Sequence, residues 1–155
     1  MRRLSMVVGL VLAVPGMWAL EVVEAPQIGV GLAAIGVPED LREKLQARVR
    51  GELASGALRD FAVRLSAAVD SRERQRVEAL MTPAARAVMN DELVAHITAG
   101  DLLGPADGRV LVTVRTHDDG SRQLHFNWYH AEKRMLIGTA LPVAGSEAGG
   151  FLLDR

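Results

Sequence analysis

The sequence predicts an α+β domain in which three to four N-terminal helices pack on a C-terminal antiparallel β-meander. Apolar residues recur at helical spacing between Leu41 and Ile97, whereas from Val110 onward they alternate strictly, the period of a half-buried strand. The turn-rich stretch 101–108, with Gly104-Pro105 and Asp107-Gly108, separates the two periods. The 155-residue chain has no cysteine, so the domain rests on its core, without disulfides or thiolate chemistry.

Ahead of the domain, Arg2 and Arg3 precede an uncharged apolar run over residues 4–20 that is broken by Pro15-Gly16, the order of a signal peptide. Cutting after Ala19 puts bulky Met17 where a small residue is preferred. Cutting after Ala25 presents Val23-Glu24-Ala25 but leaves Pro26 first. An uncleaved anchor is the alternative, because the run sits at the short edge of the ~17–25 residues that cross a bilayer. A soluble protein with an apolar first strand is a third reading. With a leader or an anchor, the positive-inside rule places the remainder outside the cytoplasm: periplasmic or secreted, or held at the inner membrane through residues 4–20. The expected organisation is thus a signal peptide or membrane anchor (1–25), a Gly-rich apolar arm (26–37) and one α+β domain (38–155).

The arm carries no charge and is too rich in glycine to predict a helix. Its Gly29-Val30-Gly31-Leu32-Ala33-Ala34 matches the Gly-x-Gly-x-x-Ala dinucleotide fingerprint, but without the βαβ unit that gives the motif its function. Pro38-Glu39-Asp40 opens the first helix with proline and acids in its first turn. Leu41, Leu45, Val49 and Leu53 form its stripe, opposite Arg42, Lys44, Arg48 and Arg50, and Ser55-Gly56 ends or bends it. The second helix places Leu58, Phe61, Ala62, Leu65, Ala68 and Val69 on one face. Asp70-Ser71-Arg72-Glu73 offers capping groups for a third that buries Val77, Leu80 and Met81. Thr82-Pro83 starts a fourth, which runs through Val88, Met89, Leu93 and Ile97 to Gly100. His96, near its C-terminus, reads as a boundary residue favoured there by the helix dipole.

In the meander Val110, Val112, Val114 and Thr116 face one way, and Leu111, Thr113, Arg115 and His117 the other. Leu124, Phe126 and Trp128 alternate with His125, Asn127 and Tyr129. A three-residue loop Asp119-Gly120-Ser121 would pair Val114 with Phe126 and Val112 with Trp128, keeping the apolar face intact. Met135, Ile137, Thr139 and Leu141 continue that face after a turn at Glu132-Lys133, and Phe151-Leu152-Leu153 adds a short last strand. The order of elements resembles that of cystatin-like and NTF2-like rolls and of some periplasmic lipid carriers. The likeness is one of element order only, and no residue or activity is carried over from it.

The formal net charge of −1 and arginines scattered among carboxylates do not favour nucleic acid as a partner. No Gly-x-Ser-x-Gly, His-Glu-x-x-His or phosphate loop occurs, and no cofactor or catalytic residue is assigned. The expectation is an exported cell-envelope binding protein. Phe61, Leu65, Val112, Phe126, Trp128 and Ile137 either close into a core or line a site for an apolar small molecule or lipid between helices and sheet. Arg115, His117, His125, Asn127 and Tyr129 converge on the opposite sheet face, which is either solvated or docks a protein in a membrane-anchored assembly. His117 and His125 stand on one diagonal, ~7–8 Å apart, but have no evident third ligand, so no metal is assigned. A second alternative, an NTF2-like enzyme, requires His125 or His130 in a pocket beside a carboxylate.

Overall fold

A computed structural model describes residues 20–88, 103–105 and 108–155, and these form an α+β fold. The leader up to Ala19, and the part of the fourth expected helix that carries Met89, Leu93, His96 and Ile97, lie outside the described residues. In chain order the elements are β1 (Glu21–Val22), α1 (Ile28–Ala34), α2 (Glu39–Gln46), β2 (Glu52–Leu53), α3 (Gly56–Ser71), α4 (Arg74–Glu78) and α5 (Pro83–Ala87). The strands β3 (Arg109–Thr116), β4 (Arg122–His130), β5 (Met135–Ser146) and β6 (Gly150–Leu153) follow. No helix among the described residues is long and apolar enough to cross a membrane.

β3 to β6 form the expected antiparallel meander, and two short strands complete the sheet along the free edge of β3. β1 runs parallel to the start of β3, Val22 beside Val110, while β2 runs antiparallel to its end, Leu53 beside Thr113. The β3–β4 pairing differs from expectation by two residues: Val112 faces Phe126 and Val114 faces Leu124. The turn causes the shift. His117 N–H donates to the Ser121 carbonyl at 2.8 Å, so the three-residue loop is Asp118-Asp119-Gly120, with Gly120 at φ +87°. The Ser121 hydroxyl and amide donate to the Asp119 carboxylate at 2.6 and 2.9 Å, which holds that carboxyl below its ordinary range. A shift of two residues preserves the faces, so the apolar side survives the change in register.

On that side α3 packs as its stripe dictates, with Leu58, Phe61, Ala62, Leu65, Ala68 and Val69 buried. They meet Val112, Leu124, Phe126, Val143, Phe151 and Leu153 from the sheet in the main core. The short helices add Val77, Met81 and Ala85. Thr82 accepts from the Ala85 N–H at 3.1 Å as the N-cap of α5 and donates to Asp154 at 2.9 Å, fastening the helix to the end of β6.

The other face differs most from expectation. The expected arm folds into α1, and together with α2 it covers one end of this face. Leu32, Ile35, Val37 and Leu45 bury Leu111 in a second, smaller core. Gly29 and Gly31 lie inside the helix rather than in a strand-to-helix turn, the place where a dinucleotide motif works. Gly31 sets the packing distance, since a Cβ there would lie 2.5 Å from Leu111 Cδ1. Helix α2 is also shorter than its stripe, ending at Gln46, so Val49 and Leu53 follow in a connection and in β2. Gly51 at φ +85° turns the chain, and the Thr113 hydroxyl donates to the Arg50 carbonyl at 2.6 Å.

Candidate functional site

Between α3–α5 and the last two strands the main core leaves a cavity of about 300 Å³. Leu65, Val69 and Val77 wall it from the helices, with Leu141 and Leu153 from the sheet and Asp154 and Arg155 supplying its polar groups. The helix period that puts Leu65 and Val69 one turn apart on α3 aims both inward, and the strand period does the same for Leu141 on β5. Such a lining offers dispersion contact and almost no hydrogen bonding, which is chemistry for an apolar guest.

Of the six residues expected to line such a space, Leu65 is on this wall. Phe61 and Phe126 are fully buried and belong to the closed core that α3 and the sheet share. Trp128 and Ile137 pair across β4 and β5 at the other end of the meander, half-buried, with the Trp128 ring 5.7 Å from that of His130. Val112 borders a different cavity, of about 320 Å³, in the gap between β1 and β2. There Arg59 donates from Nη2 to the Val22 carbonyl at 3.2 Å while its Nε is buried without a partner. That second space is framed by backbone, Glu24 and Arg59 as well as by valines, so it is chemically mixed. Sequence reasoning missed Val69, Val77 and Met81 as cavity residues. Their helical spacing marked them as buried, but which buried residues border a gap depends on how the helices seat against the sheet.

The five residues expected to form a polar partner surface are divided by α1 and α2. Asn127 is buried, and its Nδ2 donates to the Leu111 carbonyl at 2.9 Å, the His125 carbonyl at 3.2 Å and Thr113 Oγ1 at 3.3 Å. It therefore satisfies buried backbone rather than presenting an amide to a partner, because the arm that should have left this face open folds over it. Tyr129 packs half-buried against the same second core. Arg115 is exposed, and His117 and His125 are half-buried at the uncovered end.

Burial lowers the His125 pKa from its ordinary 6.5, and Arg115, Arg50 and His117 push it the same way. Its Nε2 is buried without a hydrogen-bond partner. Among the described residues the charged groups that shift this ring include Arg115 and Arg50, and none is the carboxylate that an acid–base pair requires. His130 Nδ1 instead accepts from the Lys133 N–H at 3.3 Å, as part of the β4–β5 turn. Among the described residues no group of three or more His, Asp or Glu side chains is placed to hold a metal ion.

The lowered His125 pKa predicts a pH dependence. The unfolded imidazole takes up its proton first as pH falls through 6.5, so stability declines from there down to the lower folded value and then levels off. Thermal melts between about pH 8 and pH 5 are expected to show this decline in the native chain and a smaller one in His125→Gln. Equal slopes in the two proteins would mean that the ring titrates freely in the fold.

The chain matches no family model, no curated protein and no solved structure.

Proposed function

We propose that this protein is an exported binding module of the cell envelope that holds an apolar small molecule or a short acyl chain between α3–α5 and the sheet. The observation that carries this reading is the cavity of about 300 Å³ walled by aliphatic side chains. Its volume lies at the lower end of the ~300–1,000 Å³ usual for small-molecule sites, which favours a compact guest over a long lipid tail. Asp154 and Arg155 would meet the polar end of an amphipathic ligand. The leader supports an envelope location, and the helices-then-meander order is compatible with a cystatin-like or NTF2-like roll, an arrangement suited to a space between layers.

Filling the space tests the reading. Ala85 borders it with its own side chain buried, so Ala85→Phe projects a ring into the cavity while the Thr82 cap on its N–H stays in place. Binding of octanoate, or of an apolar naphthalene dye, is expected to weaken at least tenfold, about 1.4 kcal/mol, with the circular dichroism spectrum unchanged. Undiminished binding by a folded Ala85→Phe protein would refute this cavity as the site.

A further inference from the structure

We infer that the mature chain begins at Leu20, and that the α-ammonium freed by cutting the Ala19–Leu20 bond docks on the Asp70 carboxylate at the end of α3. The inference rests on the export reading above and adds the position of the cut and the fate of the new terminus. The step is a hydrolysis by a signal peptidase of the membrane: water adds across the peptide bond, Ala19 leaves as a carboxylate and Leu20 keeps the amine.

The fold discriminates between the two bonds that the leader offers. A cut after Ala25 would discard Leu20 and Val23, both buried, and the whole of β1. It would also remove the Glu21 and Val23 N–H donations to the Gly108 and Val110 carbonyls, at 3.0 and 2.9 Å, and the Val22 carbonyl that holds Arg59. The edge of β3 would lose its parallel partner. A cut after Ala19 leaves every one of these contacts intact.

The surroundings of the Leu20 nitrogen suit an ammonium. It lies 2.7 Å from Asp70 Oδ2, while its own side chain is sunk in the main core. Asp70 stands in the last turn of the sixteen-residue α3, where the helix dipole disfavours a carboxylate, and that turn carries no basic residue. Burial also raises the Asp70 pKa, against the Leu20 hydrogen bond and the charge of Arg72. An uncut chain sets one neutral N–H against this carboxylate. A chain starting at Leu20 sets a cation there, which answers both the carboxylate and the helix terminus, with two further N–H donors.

Two measurements test this. The full-length gene product is recovered from the envelope fraction of its own host, and its intact mass and N-terminal sequence are read. Leu20 as the first residue supports the inference, whereas a chain starting at Pro26, or a full-length chain held in the membrane, overturns it. A full-length chain found in the cytoplasm instead overturns the export reading, and the inference with it. The second measurement compares thermal midpoints of the chain starting at Leu20 and of one with a single glycine before Leu20, each with and without Asp70→Asn. The substitution is expected to lower the midpoint by about 4 °C in the first and by less than half of that in the glycine-extended chain. An equal drop in both would show that the nitrogen at Leu20 acts as an ordinary amide, and would overturn the docking of the ammonium.

Discussion

Replacing Phe126 by alanine is expected to lower the unfolding free energy by about 3–5 kcal/mol. The ring is fully buried at the middle of β4, with Val112 beside it on β3 and Thr139 on β5. Its neighbours in the main core, among them Phe61 and Leu65, come from a helix held along its length by other buried contacts. Neither layer is free to collapse into the space left behind, so the cavity persists and its cost adds to the lost transfer free energy. Urea denaturation with Ile137→Ala as comparison measures it, because Ile137 is only half-buried at the far end of the meander and loses less when truncated. Should Phe126→Ala cost no more than Ile137→Ala, the centre of the core would not lie under α3.

Gly51→Ala is expected to be strongly disruptive although it lies outside the core, at more than about 2 kcal/mol. Two effects combine there. Gly51 has φ +85°, a backbone region disfavoured for residues with a side chain, and a Cβ would lie 2.1 Å from the Val114 carbonyl oxygen, an atom fixed within the sheet. Relief requires β2 to leave β3, and with it go the Leu53–Thr113 pairing and the Thr113 bond to Arg50. Gly36→Ala is the control: φ is +98°, yet nothing lies within 4 Å of the added carbon, so it costs about 1 kcal/mol from backbone conformation alone. Chemical denaturation of the two variants separates close approach from conformational strain. Similar losses in both would mean that β2 is not seated on β3.

Much of the fold is legible in the residues themselves. The α3 stripe from Leu58 to Val69 and the alternation of Val110 to Phe126 are written in simple periods; the structure buries the stripe together with Val110, Val112, Leu124 and Phe126, while Val114 is half-buried and Thr116 exposed. What periodicity could not show is the second face of the sheet. Helix α1 contains two glycines and no charge, so its sequence resembles a linker, and only docking against Leu111 shows why Gly31 must be small. The error at Asn127 follows directly, since a polar residue on an uncovered face would be solvated while one beneath a helix must satisfy buried backbone. The register shift has a local cause, as Asp118 rather than Ser121 completes the turn and pattern alone does not distinguish shifts of two. Whether the apolar residues between helices and sheet close into a core or leave a space is not written in their period, and neither is the wall of that space, because a gap is what packing leaves over and no single residue encodes it.

The edge of β3 also bears on the order of folding. β4, β5 and β6 each join their predecessor through a tight turn, contacts that close quickly because little chain entropy is lost. β1 is different: it meets β3 as a parallel strand from the opposite end of the chain, with Glu21 beside Arg109. Its docking is therefore expected late, after the meander and α3 have formed the surface that receives Leu20. In that order of events the carbonyls of Gly108 and Val110 would stand open for an interval in which the missing strand competes with any other chain for the edge.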